Sequence, residues 1–200
     1  MLMSNPSPPA PEESAPPRIL RKFAYLLSAR WVREALQAVF LIYLARVSAT
    51  TYGEFMLAVG LGSILLLVAE FGLNLPLVSL LAKKDGDPDA ALTQVSLLKG
   101  ILLVLSLIGV ASFMEWQGYS RSLKYVMFLL CLGLGLEVLS NSFFVALEVR
   151  GRQDLQGKIK AVAAVLGFGY GLIALALGAP PLAIAFFKLI ETLVNLGGGF

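Results

Sequence analysis

Six stretches of this chain are apolar over about the 20 residues that an α-helix, rising 1.5 Å per residue, needs to cross a bilayer. They run at 24–46, 53–82, 90–114, 123–149, 157–178 and 181–200, joined by short polar connections. Backbone groups find no partners in hydrocarbon, so continuous apolar runs of this length require helices. The expected fold is all-α, a polytopic transmembrane helical bundle. Of the 200 residues, 58% are hydrophobic and 14% charged, far from the balance of a soluble enzyme. Cys131 is the single cysteine and histidine is absent. Disulfide frameworks, the usual zinc and haem spacings and a Ser-His triad therefore lack their residues. No catalytic residue, metal ligand or cofactor is assigned.

The loops give an orientation. Residues 1–17 are rich in Pro, Ser and Ala with two glutamates, a composition that cannot bury enough apolar surface to offset ordering, so a disordered tail is expected. Arg18, Arg21, Lys22, Lys83, Lys84, Arg150, Arg152, Lys158 and Lys160 fall on the side of the amino terminus; Arg46, Arg121 and Lys124 fall on the other. The positive-inside rule then places the amino terminus in the cytoplasm. Basic residues that flank apolar spans in this way account for the formal charge of +3 without nucleic acid as a partner.

The stretch 41–84 joins the first two spans. Within it, Leu44-Ala45-Arg46, Tyr52-Gly53-Glu54-Phe55 and, after an apolar run, Glu70-Phe71-Gly72-Leu73 resemble the amino-terminal signature of the oligosaccharide (Wzx-type) flippases of the multidrug/oligosaccharidyl-lipid/polysaccharide exporter superfamily. Ser48-Ala49-Thr50-Thr51 replaces the Gly-Pro turn common there, and Glu70 stands where Asp is more usual. The resemblance implies two six-helix lobes around a cavity whose cations receive the pyrophosphate of an undecaprenyl-linked oligosaccharide. It also implies a bacterial inner membrane, a lipid-linked oligosaccharide as cargo, and polysaccharide polymerase and glycosyltransferases as partners. Residues 18–200 would form the amino-terminal lobe, truncated before a second lobe, with a self-assembling half-transporter as the alternative.

Span two is too long to cross straight, and Pro76 lacks the N–H that would reach Gly72 four residues earlier. A kink is expected there, either a passive bend or a hinge formed by Gly72 and Pro76. Ala163, Gly167 and Gly171 in span five recur at intervals of four, a small-residue ridge for close helix contact. Lacking a mid-span charge, span five is expected on the outside of the bundle.

A charge in the hydrocarbon costs about 2.5–3.5 kcal/mol on insertion scales and normally faces a bundle interior or wet cavity. Arg30, Arg33, Glu34 and Gln37 lie on one helical face, and Lys188, Glu191, Thr192 and Asn195 repeat the spacing. Glu137, Asn141 and Glu148 share an arc of span four, Ser63, Glu70 and Asn74 one of span two, and Lys99 neighbours Ser96 and Ser106. The polar faces are expected to converge on a hydrated pocket. Arg30 with Glu34, and Lys188 with Glu191, have the spacing of intrahelical ion pairs; Arg33 and Lys99 have no partner at helical spacing. Glu148 beside Arg150 and Arg152 reads as a surface acid.

With the resemblance, Arg30, Arg33, Lys99 and Lys188 become the candidate pyrophosphate-binding residues. Glu70, Glu137 and Glu191 become candidates for coupling to a proton or sodium gradient, because desolvation favours a neutral or cation-bound carboxyl. The expected function is a non-enzymatic flippase working by alternating access. A drug or metabolite exporter of the same superfamily, with a more aromatic cavity, and a non-transporting assembly protein are the alternatives.

Overall fold

A computed structural model describes residues 15–70, 72–81, 88–149 and 151–199. The expected tail up to residue 14, the Lys83-Lys84 loop and the side chains of Arg18, Arg21 and Lys22 lie outside the described residues. Seven helices follow one another: α1 (Ala15–Val47), α2 (Ala49–Glu70), α3 (Asn74–Leu81), α4 (Pro88–Trp116), α5 (Arg121–Val149), α6 (Gln153–Ala176) and α7 (Pro181–Gly199). The described residues contain no strand.

Boundaries follow local chemistry. Helix α1 takes in residues 15–17, which had been assigned to the tail; Pro16 and Pro17 sit in its first turn, where a missing N–H costs nothing. The polar loop expected after span one shrinks to Ser48. Its Oγ accepts from the Thr51 N–H at 3.2 Å, an N-cap that lets Thr50, Thr51 and Tyr52 enter the first turn of α2. Helix α6 ends in a Schellman turn: Gly178, at φ 69°, donates to the Leu175 carbonyl at 3.1 Å and Ala179 to that of Ala174 at 2.9 Å.

Span two is interrupted rather than bent. Gly72 adopts φ 69° between α2 and α3, a left-handed conformation that glycine enters freely. Pro76 then falls in the first turn of α3, where no N–H to residue i−4 is required. The expected kink is thus a break made by the Gly72 conformation, and the lost Pro76 bond is a consequence of helix phase.

Helices α2, α4, α5, α6 and α7 contain segments long and apolar enough to cross a membrane, and the chain is a multi-pass membrane protein. Helix α1, at 33 residues, spans about 50 Å, but its ionic residues keep it out of that set. One of its interior charges, Arg33, is instead met by partners on other helices.

Helix α1 packs chiefly on α6, α2 on α5, and α7 on both α5 and α6. Phe40 of α1, Phe55 of α2, Phe168 of α6 and Phe187 of α7 are buried together, with the Phe40 and Phe187 centroids 4.9 Å apart and Phe40 and Phe55 at 5.6 Å edge to face. This cluster pins four helices at one level. A groove runs along α1: one end lies between α1 and α2 over α5, α6 and α7, and the other is lined by α1, α5 and α6, as the side chains lining it show.

The small-residue ridge of α6 lies inside this packing. Ala163, Gly167 and Gly171 are all buried, and a Cβ on Gly171 would come within 3.0 Å of the Phe40 ring. Span five was expected on the outside, yet α6 is wedged between α1 and α7. The more peripheral helix is α4, with Leu97, Ile101, Val104, Leu105 and Ile108 exposed. Trp116, 81% exposed, and Tyr125 stand at neighbouring ends of α4 and α5, where an interfacial aromatic belt is expected.

Candidate functional site

The buried face of α7 carries Lys188, Glu191, Thr192 and Asn195. Small residues of its neighbours let it sit deep: a Cβ on Gly133 of α5 would lie 2.9 Å from Lys188 Cγ, and one on Gly167 of α6 would lie 2.7 Å from Glu191 Cβ. Thr192 Oγ1 donates to the Gly133 carbonyl at 3.0 Å. Two ionic groups of α7 are thereby carried into the middle of the bundle.

There they close a ring with α1 and α5. Arg33 donates through Nε to Glu191 Oε1 at 2.9 Å and through Nη2 to Glu137 Oε1 at 3.1 Å. Lys188 Nζ donates to Glu137 Oε2 at 2.7 Å and to Glu191 Oε2 at 2.9 Å. Each cation bridges both acids, and each acid uses one oxygen per cation. Two positive and two negative charges cancel, which is how buried charges are kept hydrogen-bonded where desolvation would otherwise be prohibitive. Lys188 and Glu191 form the intrahelical pair their spacing allows, but the partners of Arg33 come from other helices.

Below the ring the groove widens into a polar cleft of about 410 Å³ lined by Arg30, Arg33, Glu34, Glu137, Asn141, Glu148, Gln156, Gly157 and Lys160. A second hollow of about 300 Å³ shares Asn141, Glu148, Gln156 and Lys160 with it and adds Asn74, Leu75 and Val78 of α3. On the other side of the ring lies a smaller, aromatic chamber of about 160 Å³, lined by Gln37, Phe40, Phe55, Met56 and Phe187 among others. The ring is the waist between them: Arg33 faces all of these spaces but the α3 hollow.

Two cations face the cleft without an ion pair to any described carboxylate. Arg30 is exposed and forms no ion pair with Glu34 or any other described residue. Lys160 is half-buried, its Nζ 4.6 Å from the centre of the Phe144 ring, a cation–π contact. Gln156 Nε2 donates to Glu148 Oε1 at 3.0 Å, so Glu148, read as a surface acid, helps to line the cleft.

Lys99 sits elsewhere. It is fully buried, lines none of these hollows, and donates to Asn74 Oδ1 at 2.6 Å and Ser142 Oγ at 3.0 Å. Glu70, the last residue of α2, accepts from Asn141 Nδ2 at 3.1 Å. The expected shared pocket is therefore two clusters: Arg30, Arg33, Glu137, Lys188 and Glu191 gather at the cleft and its waist, while Lys99 and Glu70 tie α2, α3, α4 and α5 together around the Gly72 break.

Lys160 was missed as a cleft residue because loop counting assigned it to the cytoplasmic connection. Helix α6 begins at Gln153, so Lys160 lies two turns inside it. The available signal was Gln156 and Lys160 four residues apart, hence on one face.

The sequence profile of a family described as polysaccharide biosynthesis protein matches residues 19–200. No curated protein and no solved structure matches the chain.

Proposed function

The chain belongs to the polysaccharide biosynthesis protein family, and from that premise we propose that it acts as a flippase, carrying a lipid-linked, diphosphate-bearing oligosaccharide across a bacterial inner membrane. The observation that carries the reading is the polar cleft inside an otherwise apolar bundle, with Arg30 and Lys160 facing it and forming no ion pair with a described carboxylate. Arg30 grips phosphate oxygens in parallel, and Lys160 supplies a mobile point charge once it leaves the Phe144 face. Arg33 is the reserve cation at the waist, reached only by opening the ring. The lipid tail stays in the bilayer beside α1 and α2. The amino terminus lies in the cytoplasm, undecaprenyl diphosphate is the carrier, and glycosyltransferases and a polymerase work on either side of this step.

Coupling to a proton or sodium gradient belongs to the same reading. Of the three candidate acids, Glu137 and Glu191 are each shared by two cations, which repel a third. Glu70 has Lys99 within electrostatic reach but no direct ion pair among the described residues, accepting instead from the Asn141 amide, so it is the acid best able to take up an ion. The aromatic chamber beyond the ring favours one second reading, a related exporter of lipophilic compounds; competition between such compounds and lipid-linked oligosaccharide separates the two.

The test uses the full-length protein in proteoliposomes, following translocation of a fluorescent lipid-linked oligosaccharide. Arg30→Gln and Lys160→Gln are each expected to lower the rate about tenfold, the worth of a charge-assisted hydrogen bond. Undiminished translocation by the double variant at normal protein level removes both from the cargo path.

A further inference from the structure

Lys99 is a buried ammonium whose described partners are two neutral oxygens. Burying a lysine in that way is costly, and the arrangement is informative because of what it joins. Asn74 opens α3 and Ser142 belongs to α5, so the lysine on α4 fastens the short helix to the floor of the groove.

Helix α3 otherwise rests on α4 and α5, and among its described side chains the anchoring is uneven. It has eight residues, of which Leu77 is buried, whereas Leu75 is 79% exposed and Val78 41% exposed. At its start, Gly72 turns through φ 69° with no atom within 4 Å of where a Cβ would stand. The pivot therefore has open space around it. Asn74, Leu75 and Val78 line the open side of the hollow of about 300 Å³, opposite Glu148, Gln156 and Lys160.

We infer that α3 is a hinged side wall of the cleft, swinging about Gly72, and that Lys99 is the latch that holds it closed through Asn74. When the wall moves out, the hollow widens between α3 and α6 over its α5 floor, which is the route by which a lipid-borne headgroup slides in from the bilayer with its tail outside. The Glu70 carboxylate, which holds Asn141 next to Ser142, is the acceptor that takes Lys99 when Asn74 leaves. Lys99 is thus a positioning residue for transport and makes no contact with cargo. The inference rests on the transport reading for its purpose, but the motion itself is measurable without cargo.

The experiment places spin labels at Ser79→Cys and Asp154→Cys, both exposed positions, in the full-length protein in nanodiscs. It also measures binding of a short isoprenyl diphosphate. The parent gives one dominant distance. Lys99→Met shifts the balance toward a longer distance about tenfold, the effect of losing a charge-assisted hydrogen bond, with diphosphate affinity unchanged. Asn74→Leu cuts the same bond from the other side and gives the same shift should Lys99→Met fail to insert. Asn74→Asp turns the latch into an ion pair; it keeps the short distance and slows translocation several-fold. A single distance in both Lys99→Met and Asn74→Leu overturns the latch, as does a loss of diphosphate affinity in Lys99→Met without a change in distance, which would make Lys99 a ligand. A shifted distance with no translocation by the parent leaves the hinge standing and sinks the transport reading alone.

Discussion

Glu191→Gln lowers stability by about 3–5 kcal/mol, the cost of removing one partner from a buried ion pair. The side chain is 1% exposed and each of its oxygens meets a different cation, Arg33 and Lys188. Glutamine keeps the shape, but it removes a negative charge and turns an amide N–H toward one of the two donors. Arg33 and Lys188 then share Glu137 alone. Adding Lys188→Met restores neutrality, leaving Arg33 with Glu137, and the double variant recovers most of the loss. Thermal unfolding of the four proteins of this cycle in detergent checks it. Losses that simply add mean the four groups are independent pairs, and the ring is then a drawing of distances without energetic content.

The bundle was legible because bilayer thickness fixes helix length, and the apolar runs show it directly. The facing of charges was legible too: the spacing of Arg30, Arg33, Glu34 and Gln37, matched by Lys188, Glu191, Thr192 and Asn195, places each set on one helix face whatever the neighbours are. Which helices those faces meet was not. Arg33 seemed unpartnered because its carboxylates lie 104 and 158 residues away, and only the order of helices around α5 and α7 brings them together. Hydropathy contains no information on that order.

Lys99 and Lys160 exchanged places for a related reason. Both were read from one helix at a time, Lys99 as a mid-span charge and Lys160 as a loop marker of topology. Helix α4 is the peripheral one, so its inward charge meets the back of α5 and the start of α3, away from the cleft. The α5–α6 connection is only a few residues long, so Lys160 starts high enough on α6 to reach the cleft. The break at Gly72 was anticipated in place but not in kind. Proline stood out as the helix breaker, yet glycine turns the chain, and proline was merely compatible with the helix that begins after it.

Gly167→Val is expected to unseat α7 and abolish transport. The first methyl-sized atom at this position meets Glu191 Cβ at 2.7 Å and the Phe187 carbonyl oxygen at 2.9 Å, so the obstruction includes backbone and cannot be relieved by a rotamer change. Helix α7 must move off α6, and the groups it carries move with it: Phe187 leaves the four-ring aromatic cluster and Glu191 withdraws from Arg33. Overpacking costs about 1–3 kcal/mol by itself, and opening the ring adds the penalty of exposed pairing groups in a buried site. Gly169, two residues on, is the control: nothing lies within 4 Å of its missing Cβ, so Gly169→Val brings the same side chain to the same helix without a clash. The pair is compared by detergent-solubilised unfolding temperature and by translocation in proteoliposomes. Gly167→Val falls on both measures while Gly169→Val stays near the parent; equal losses would show that helix propensity, and not the seating of α7, sets the effect.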